Sequence, residues 1–195
     1  MRAPAIIRPS RPLLIAAGLK RRPHETFTRA IGDAFEAGVQ LWGYSPHGIP
    51  QVAPVSVVYW MPVQRLMRDA GLRAGLWYLP TWSERHHPTL DIDRLPEFDI
   101  EAEIDRLVRF CLERALPIAE AAATPQAIRR RIAQDPPFCG SPIPVVAARL
   151  HMDGPEAALE AARGWRRWPG WGNPFPAFEM LERHVEMLAR RARAH

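Results

Sequence analysis

Val55-Ser56-Val57-Val58-Tyr59-Trp60 is the most strand-like stretch of the chain. β-branched and aromatic residues crowd it, and Pro62 closes it two residues later. Toward the N-terminus, Val39-Gln40-Leu41-Trp42 alternates, with Val39 and Leu41 on one face and Gln40 and Trp42 on the other. Thr26-Phe27-Thr28 is a third β-prone segment. Gly32-Asp33 and Ser45-Pro46-His47-Gly48 supply the turns. Three short β segments separated by turn clusters predict an antiparallel meander. Leu76-Trp77-Tyr78-Leu79 and Thr89-Leu90-Asp91-Ile92 are candidates for two more strands, kept short by Pro80, Pro88 and Pro96.

The flanks read as helix. Before the meander, Ser10 is expected to cap a helix, with Pro12 in its first turn and Gly18 at its stop. Leu13, Leu14 and Ala17 would form its apolar face. Between strands, a short helix is predicted over Val63–Ala70, stopped by Gly71. From Asp99, a natural N-cap, Ile100, Ile104, Leu107, Val108, Cys111 and Leu112 fall on one helical face, and Pro117 is expected to interrupt it. Thr124-Pro125 opens a helix carrying Ile128 and Ile132. Residues 143–152 and 155–165 form a predicted helical hairpin about Asp153-Gly154-Pro155. Asn173-Pro174 is expected to cap a last helix, with Phe178, Leu181, Val185 and Leu188 inward. The expected fold is therefore α+β: an N-terminal helix, an antiparallel meander of three to five strands within residues 24–92, and a C-terminal bundle of four or five helices. One domain is expected over residues 1–195, with an α+β core over 10–135 and a helical extension over 140–195.

Length and composition fit this reading: 195 residues, 47% hydrophobic and 24% charged, are enough for a substantial core. Lys20 is the only lysine, and the other 25 cations are arginines. A net charge of +5 favours acidic partners in principle, but the basic residues are scattered along the chain. Cys111 and Cys139 are too few for a disulfide scaffold or a zinc cluster. The longest apolar run, residues 13–17, is far short of a membrane span, and no signal-peptide pattern opens the chain. A cytoplasmic location away from membranes is the resulting expectation.

No catalytic motif stands out. The chain has no Gly-rich phosphate loop, no Gly-x-Ser-x-Gly and no His-Glu-x-x-His. In Glu84-Arg85-His86-His87, the adjacent histidines would point to opposite faces of an extended segment and so serve one metal ion poorly. No catalytic residue, metal or cofactor is expected. The aromatic set Trp42, Tyr44, Trp60, Trp77, Tyr78 and Trp82 either packs the core or leaves one sheet face open for binding. Trp165-Arg166-Arg167-Trp168-Pro169-Gly170-Trp171 interleaves aromatic and basic residues; such a loop pins two helices together or engages a partner. Arg129-Arg130-Arg131 reads as a solvated helix face.

The order of elements carries a resemblance. Ala17-Gly18-Leu19-Lys20-Arg21, then His24-Glu25-Thr26-Phe27-Thr28-Arg29, then Val39-Gln40-Leu41-Trp42-Gly43-Tyr44, and later Leu116-Pro117-Ile118, resemble the bacterial domain of unknown function 4304 group over about residues 10–135. The chain departs from that group at Leu19, where an aromatic is usual, and in its proline-rich 72–98 segment. The resemblance implies an α+β fold and no catalytic residues; similar small domains neighbour bacterial toxin systems as immunity proteins. The leading expectation is thus a non-catalytic interaction protein that holds a protein partner through an aromatic sheet face. The alternative is a module for a small anionic ligand or nucleic acid using Trp60, Trp77, Trp82, Arg85 and His86. Trp42, Tyr44, Trp165, Arg166, Arg167 and Trp168 complete the set of candidate binding residues.

Overall fold

The computed structural model describes residues 3–44, 51–72, 79–80, 90–91, 100–134, 142–166 and 176–194. The α+β architecture is as expected: a first helix, an antiparallel sheet, then helices. The chain divides into two compact units, residues 1–58 with 80–124, and residues 59–79 with 125–195.

The first unit opens on α1 (Ala3–Ala16). This helix starts seven residues before the expected cap. Ser10 is not a cap: it is buried inside the helix, and its hydroxyl donates to the Ile6 carbonyl at 2.7 Å. Pro9 and Pro12 both lie within α1 and remove two backbone donors. Burial of Ile6, Ile7 and Leu14 on one face offsets that loss. Leu13 and Ala17, expected inward, face solvent instead. Gly18, at φ +87°, ends the helix as expected.

Strands β1 (Lys20–Arg22), β2 (Thr26–Ile31), β3 (Phe35–Tyr44) and β4 (Gln51–Trp60) follow. β1 begins the sheet earlier than expected, because three charged residues carry no hydrophobic alternation to announce a strand. β1 pairs antiparallel with β2, and β2 with β3, in the register Arg22↔Thr26↔Gln40 and Arg21↔Phe27↔Val39. The order is β1-β2-β3-β4-β5, where β5 is Leu79–Pro80; β6 (Leu90–Asp91) also pairs with β4. Phe27, Val39 and Leu41 turn toward the core, where they join Ile6, Leu14, Ile104, Leu107 and Leu116.

α3 (Ile100–Phe110) runs through a π-helical turn (Cys111–Ala115) into α4 (Leu116–Ala122). Pro117 therefore does not break the helix. The Leu116 N–H reaches back five residues to the Cys111 carbonyl, and the extra residue places Pro117 in the first turn of α4, where its missing N–H is tolerated. The Ala115 carbonyl at the end of this turn accepts a 2.7 Å hydrogen bond from buried Ser56. Burial pushes the Cys111 thiol up to about 12, so it stays protonated and packs as a small apolar side chain.

In the second unit, α2 (Met61–Asp69) accompanies α5 (Pro125–Gln134), α6 (Pro142–Asp153), α7 (Pro155–Arg166) and α8 (Pro176–Arg193). Residues 142–148 of α6 are apolar all round and all buried, and α2, α7 and α8 each pack on this helix. Gly154, at φ +88°, makes the expected tight link from α6 to α7. α7 and α8 run antiparallel, tied at one end by Arg166–Glu182 and at the other by Arg193–Glu156 at 2.7 Å. Arg129 and Arg149 converge on Asp153 at 2.7 and 2.9 Å, crosslinking α5 to α6. The Arg149 hydrogen bond, then Arg129, holds the Asp153 carboxyl below its usual range.

Two glycines test this packing in opposite senses. A Cβ on Gly38 in β3 would overlap the Phe27 carbonyl oxygen and lie 2.8 Å from Thr28 Cα, both backbone atoms of β2. Gly164 in α7 is exposed, with open space around its Cβ position. Gly38→Ala should cost about 3 kcal/mol or more, whereas Gly164→Ala should stabilise by about 0.5–1 kcal/mol. Urea denaturation of both variants measures the pair.

Candidate functional site

The outward face of β1–β3 carries Lys20, Arg22, Thr26, Thr28, Glu36, Gly38, Gln40 and Trp42, as the register requires. Much of it is polar yet enclosed: Thr26, Thr28 and Gln40 are buried. The Arg22 guanidinium crosses β2 to the Glu36 carboxylate, with its Nε donating at 2.8 Å. Thr28 donates to the same carboxylate at 2.9 Å. These bonds satisfy polar groups that burial would otherwise penalise.

Trp42 is the exception on this face. It is 50% exposed, the most exposed of the large apolar side chains among the described residues. Its indole Nε1 donates to Gln40 Oε1 at 2.6 Å. Gln40 Nε2 in turn donates to the His24 carbonyl at 3.1 Å. An indole N–H is donor only, so the bond fixes the Gln40 amide orientation and the amide fixes the ring.

His24 closes the chain of bonds on an unusual turn. Extending the register past Thr26↔Gln40 sets His24 opposite Trp42. His24 and Glu25 both adopt left-handed backbone, with φ of 58° and 52°. Neither is glycine, and such conformations cost about 1–2 kcal/mol each unless their surroundings impose them. The surroundings here are specific. Arg11 of α1 grips the Glu25 carboxylate with two N–H groups, its Nε at 2.8 Å, and Arg21 of β1 adds a third at 3.2 Å. The Leu41 N–H donates to the Glu25 carbonyl at 3.0 Å, and Thr26 lies 3.5 Å from the His24 carbonyl. A helix and three strands thus converge on two residues, and Trp42 is attached to the result.

The other candidates separate into four groups. Trp60 and Trp165, expected on a binding surface, are buried, at 4% and 6% exposure. Trp60 closes β4, a strand whose last five residues are all buried, and it meets His151 of α6 edge-to-face at 4.8 Å. Arg166 is exposed but engaged: it binds Glu182 through two N–H groups, and its guanidinium stands 5.6 Å from the Phe178 ring. Tyr44 is the last residue of β3. Trp77, Tyr78, Trp82, Glu84, Arg85, His86, His87, Arg167 and Trp168 lie outside the described residues, as do Asp99, Cys139, Asn173 and Pro174. Nothing described adds to the ligand site expected over residues 77–87.

The residues that sequence reasoning missed are His24, Glu25, Arg11 and Gln40. Among the described residues, no group of three or more His, Cys, Asp or Glu is placed to hold a metal ion, and no helix is long and apolar enough to cross a membrane. No protein-family model, curated protein or solved structure matches the chain.

The turn makes a definite prediction. Its clamps hold the backbone, so His24→Gly should relieve left-handed strain without moving the strands. Stability should rise by up to about 1 kcal/mol, the relief being partly offset by the greater freedom of glycine when unfolded. Thermal unfolding measures this; a loss of stability would show that the His24 backbone is not strained.

Proposed function

We propose that this chain is an interaction protein that acts by binding, and that its first unit holds a protein partner through the sheet face presenting Trp42. The observation that carries the reading is the half-exposed Trp42, tied by hydrogen bonds to a strained and heavily clamped turn. An isolated surface tryptophan needs no explanation. One fixed in orientation does: a rigid aromatic loses little conformational freedom on binding, and tryptophan is among the residues that dominate interface energies. Strained backbone held by its neighbours also concentrates at binding sites.

The narrower role, neutralising a bacterial toxin, rests on the resemblance to the domain of unknown function 4304 group and on nothing in the geometry. Inhibitors of basic nucleases are expected to be acidic. This chain carries +5, so a toxin partner would be acidic or neutral at the contact.

Affinity capture from the native cell, run side by side with wild type and Trp42→Ala, tests the reading. A stoichiometric protein partner should be retained by the wild type and lost by the variant. Titration with the purified partner should show at least about a thirtyfold weakening, as for a hot-spot residue losing about 2 kcal/mol. A partner held equally by Trp42→Ala would remove Trp42 from the interface.

A further inference from the structure

The charge of the chain is not shared between its units. Residues 59–79 and 125–195 contain 14 arginines and no lysine against 8 acidic residues, a net +6. Residues 1–58 and 80–124 contain 12 basic against 13 acidic residues. The net positive charge therefore belongs to the helical second unit.

Within that unit, α8 has two apolar faces. Phe178, Leu181, Val185 and Ala189 are buried and fill the inner one. Met180 and Met187 stand outside, 42% and 39% exposed. Seven residues apart, they lie within about 20° of one line along the helix. Arg183 and His184 follow Met180 by three and four residues, and Arg190 and Arg191 follow Met187 likewise. An apolar seam flanked on both sides by cationic or cationisable side chains results. Glu179 and Glu186 accompany Arg183 and Arg190, at 3.6 and 3.8 Å, as solvent-exposed pairs worth little. The end of α2 borders the seam. The Met180 methyl lies 2.9 Å from where a Cβ on Gly71 would stand, and exposed Arg68 is in the last turn of α2.

We propose that the outer face of α8 is a second docking surface, and that its occupant is an amphipathic helix of a partner protein with acidic residues flanking its apolar stripe. Charge complementarity with the +6 unit selects the acidic flanks. Methionine selects the helix: unbranched and polarisable, it fits the varied side chains of a docking helix. A second copy of the chain fits poorly, because a symmetric contact would set arginines of the seam against each other. Nucleic acid would use the arginines and leave the methionines idle. A membrane surface would call for bulkier Leu, Phe or Trp at the seam. The site is independent of Trp42.

The probe is a fluorescein-labelled synthetic helix of about five turns, or about 18 residues, with leucines at i, i+3, i+4 and i+7 and glutamates flanking them. Fluorescence anisotropy should show binding to the full chain that weakens as salt rises. Arg183→Glu/Arg191→Glu should weaken it at least tenfold, Met187→Gln should weaken it measurably, and Trp42→Ala should leave it unchanged. These changed positions on α8 are exposed, and circular dichroism confirms that each variant is folded. Equal binding by the charge-reversed variant, or by a peptide of scrambled sequence, would overturn the proposal. So would stronger retention of a 20-base-pair DNA duplex or of phosphatidylserine vesicles than of the helix.

Discussion

Two consecutive left-handed residues, His24 and Glu25, constrain the first unit. Left to itself, a β1–β2 connection of Pro23, His24 and Glu25 would avoid that backbone, because a Cβ makes it costly. Its surroundings supply the compensation. Arg11 brings α1 to the Glu25 carboxylate, Arg21 brings β1, and the Leu41 N–H brings β3. Hydrogen bonds to an ionised group are worth about 1.5–3 kcal/mol each, discounted here because the carboxylate is partly in water. Two or three of them are still of the size needed to hold two strained residues. The same contacts pin the β2–β3 register, so Gln40 faces the His24 carbonyl and Trp42 is displayed at the end of the face.

The two units solve the problem of burial differently, and this separates the surfaces they offer. The sheet buries apolar side chains on one face and a hydrogen-bonded polar layer on the other, and leaves Trp42 half exposed. In the second unit, α6 is the hydrophobic axis and its neighbours need only one apolar face each. Their outer faces are then free to carry arginine. A rigid tryptophan on a near-neutral unit and a methionine seam on a strongly basic one are suited to different partners, or to different parts of one partner.

Much of this fold was legible in the sequence. Val39 and Leu41 pointed inward and Trp42 outward because period-2 alternation is decisive where one face is covered. Gly18, Gly71 and Gly154 stopped helices because glycine is the cheapest left-handed residue. Where the sequence misled, tertiary contacts overrode local preference. Ser10 and Pro12 look like a helix start, yet α1 continues through them because Ile6, Ile7 and Leu14 are buried together. Pro117 looks like a break, yet a π turn absorbs it. Trp60 shares the alternation of a binding strand, but both faces of that strand end are covered, which no one-dimensional pattern reports. The turn was least visible of all. Glu is no left-handed signal and His only a weak one, and the Arg11–Glu25 clamp joins residues whose proximity depends on the fold already being formed.

Trp42 matters because it is held rather than merely exposed. Hydrogen exchange of its indole N–H, followed by NMR in the wild type and in Gln40→Ala, measures that directly. The indole proton should be protected in the wild type and exchange at the rate of a free surface tryptophan once Gln40 is truncated, with the rest of the sheet unchanged. Fast exchange in the wild type, or protection that survives Gln40→Ala, would contradict it.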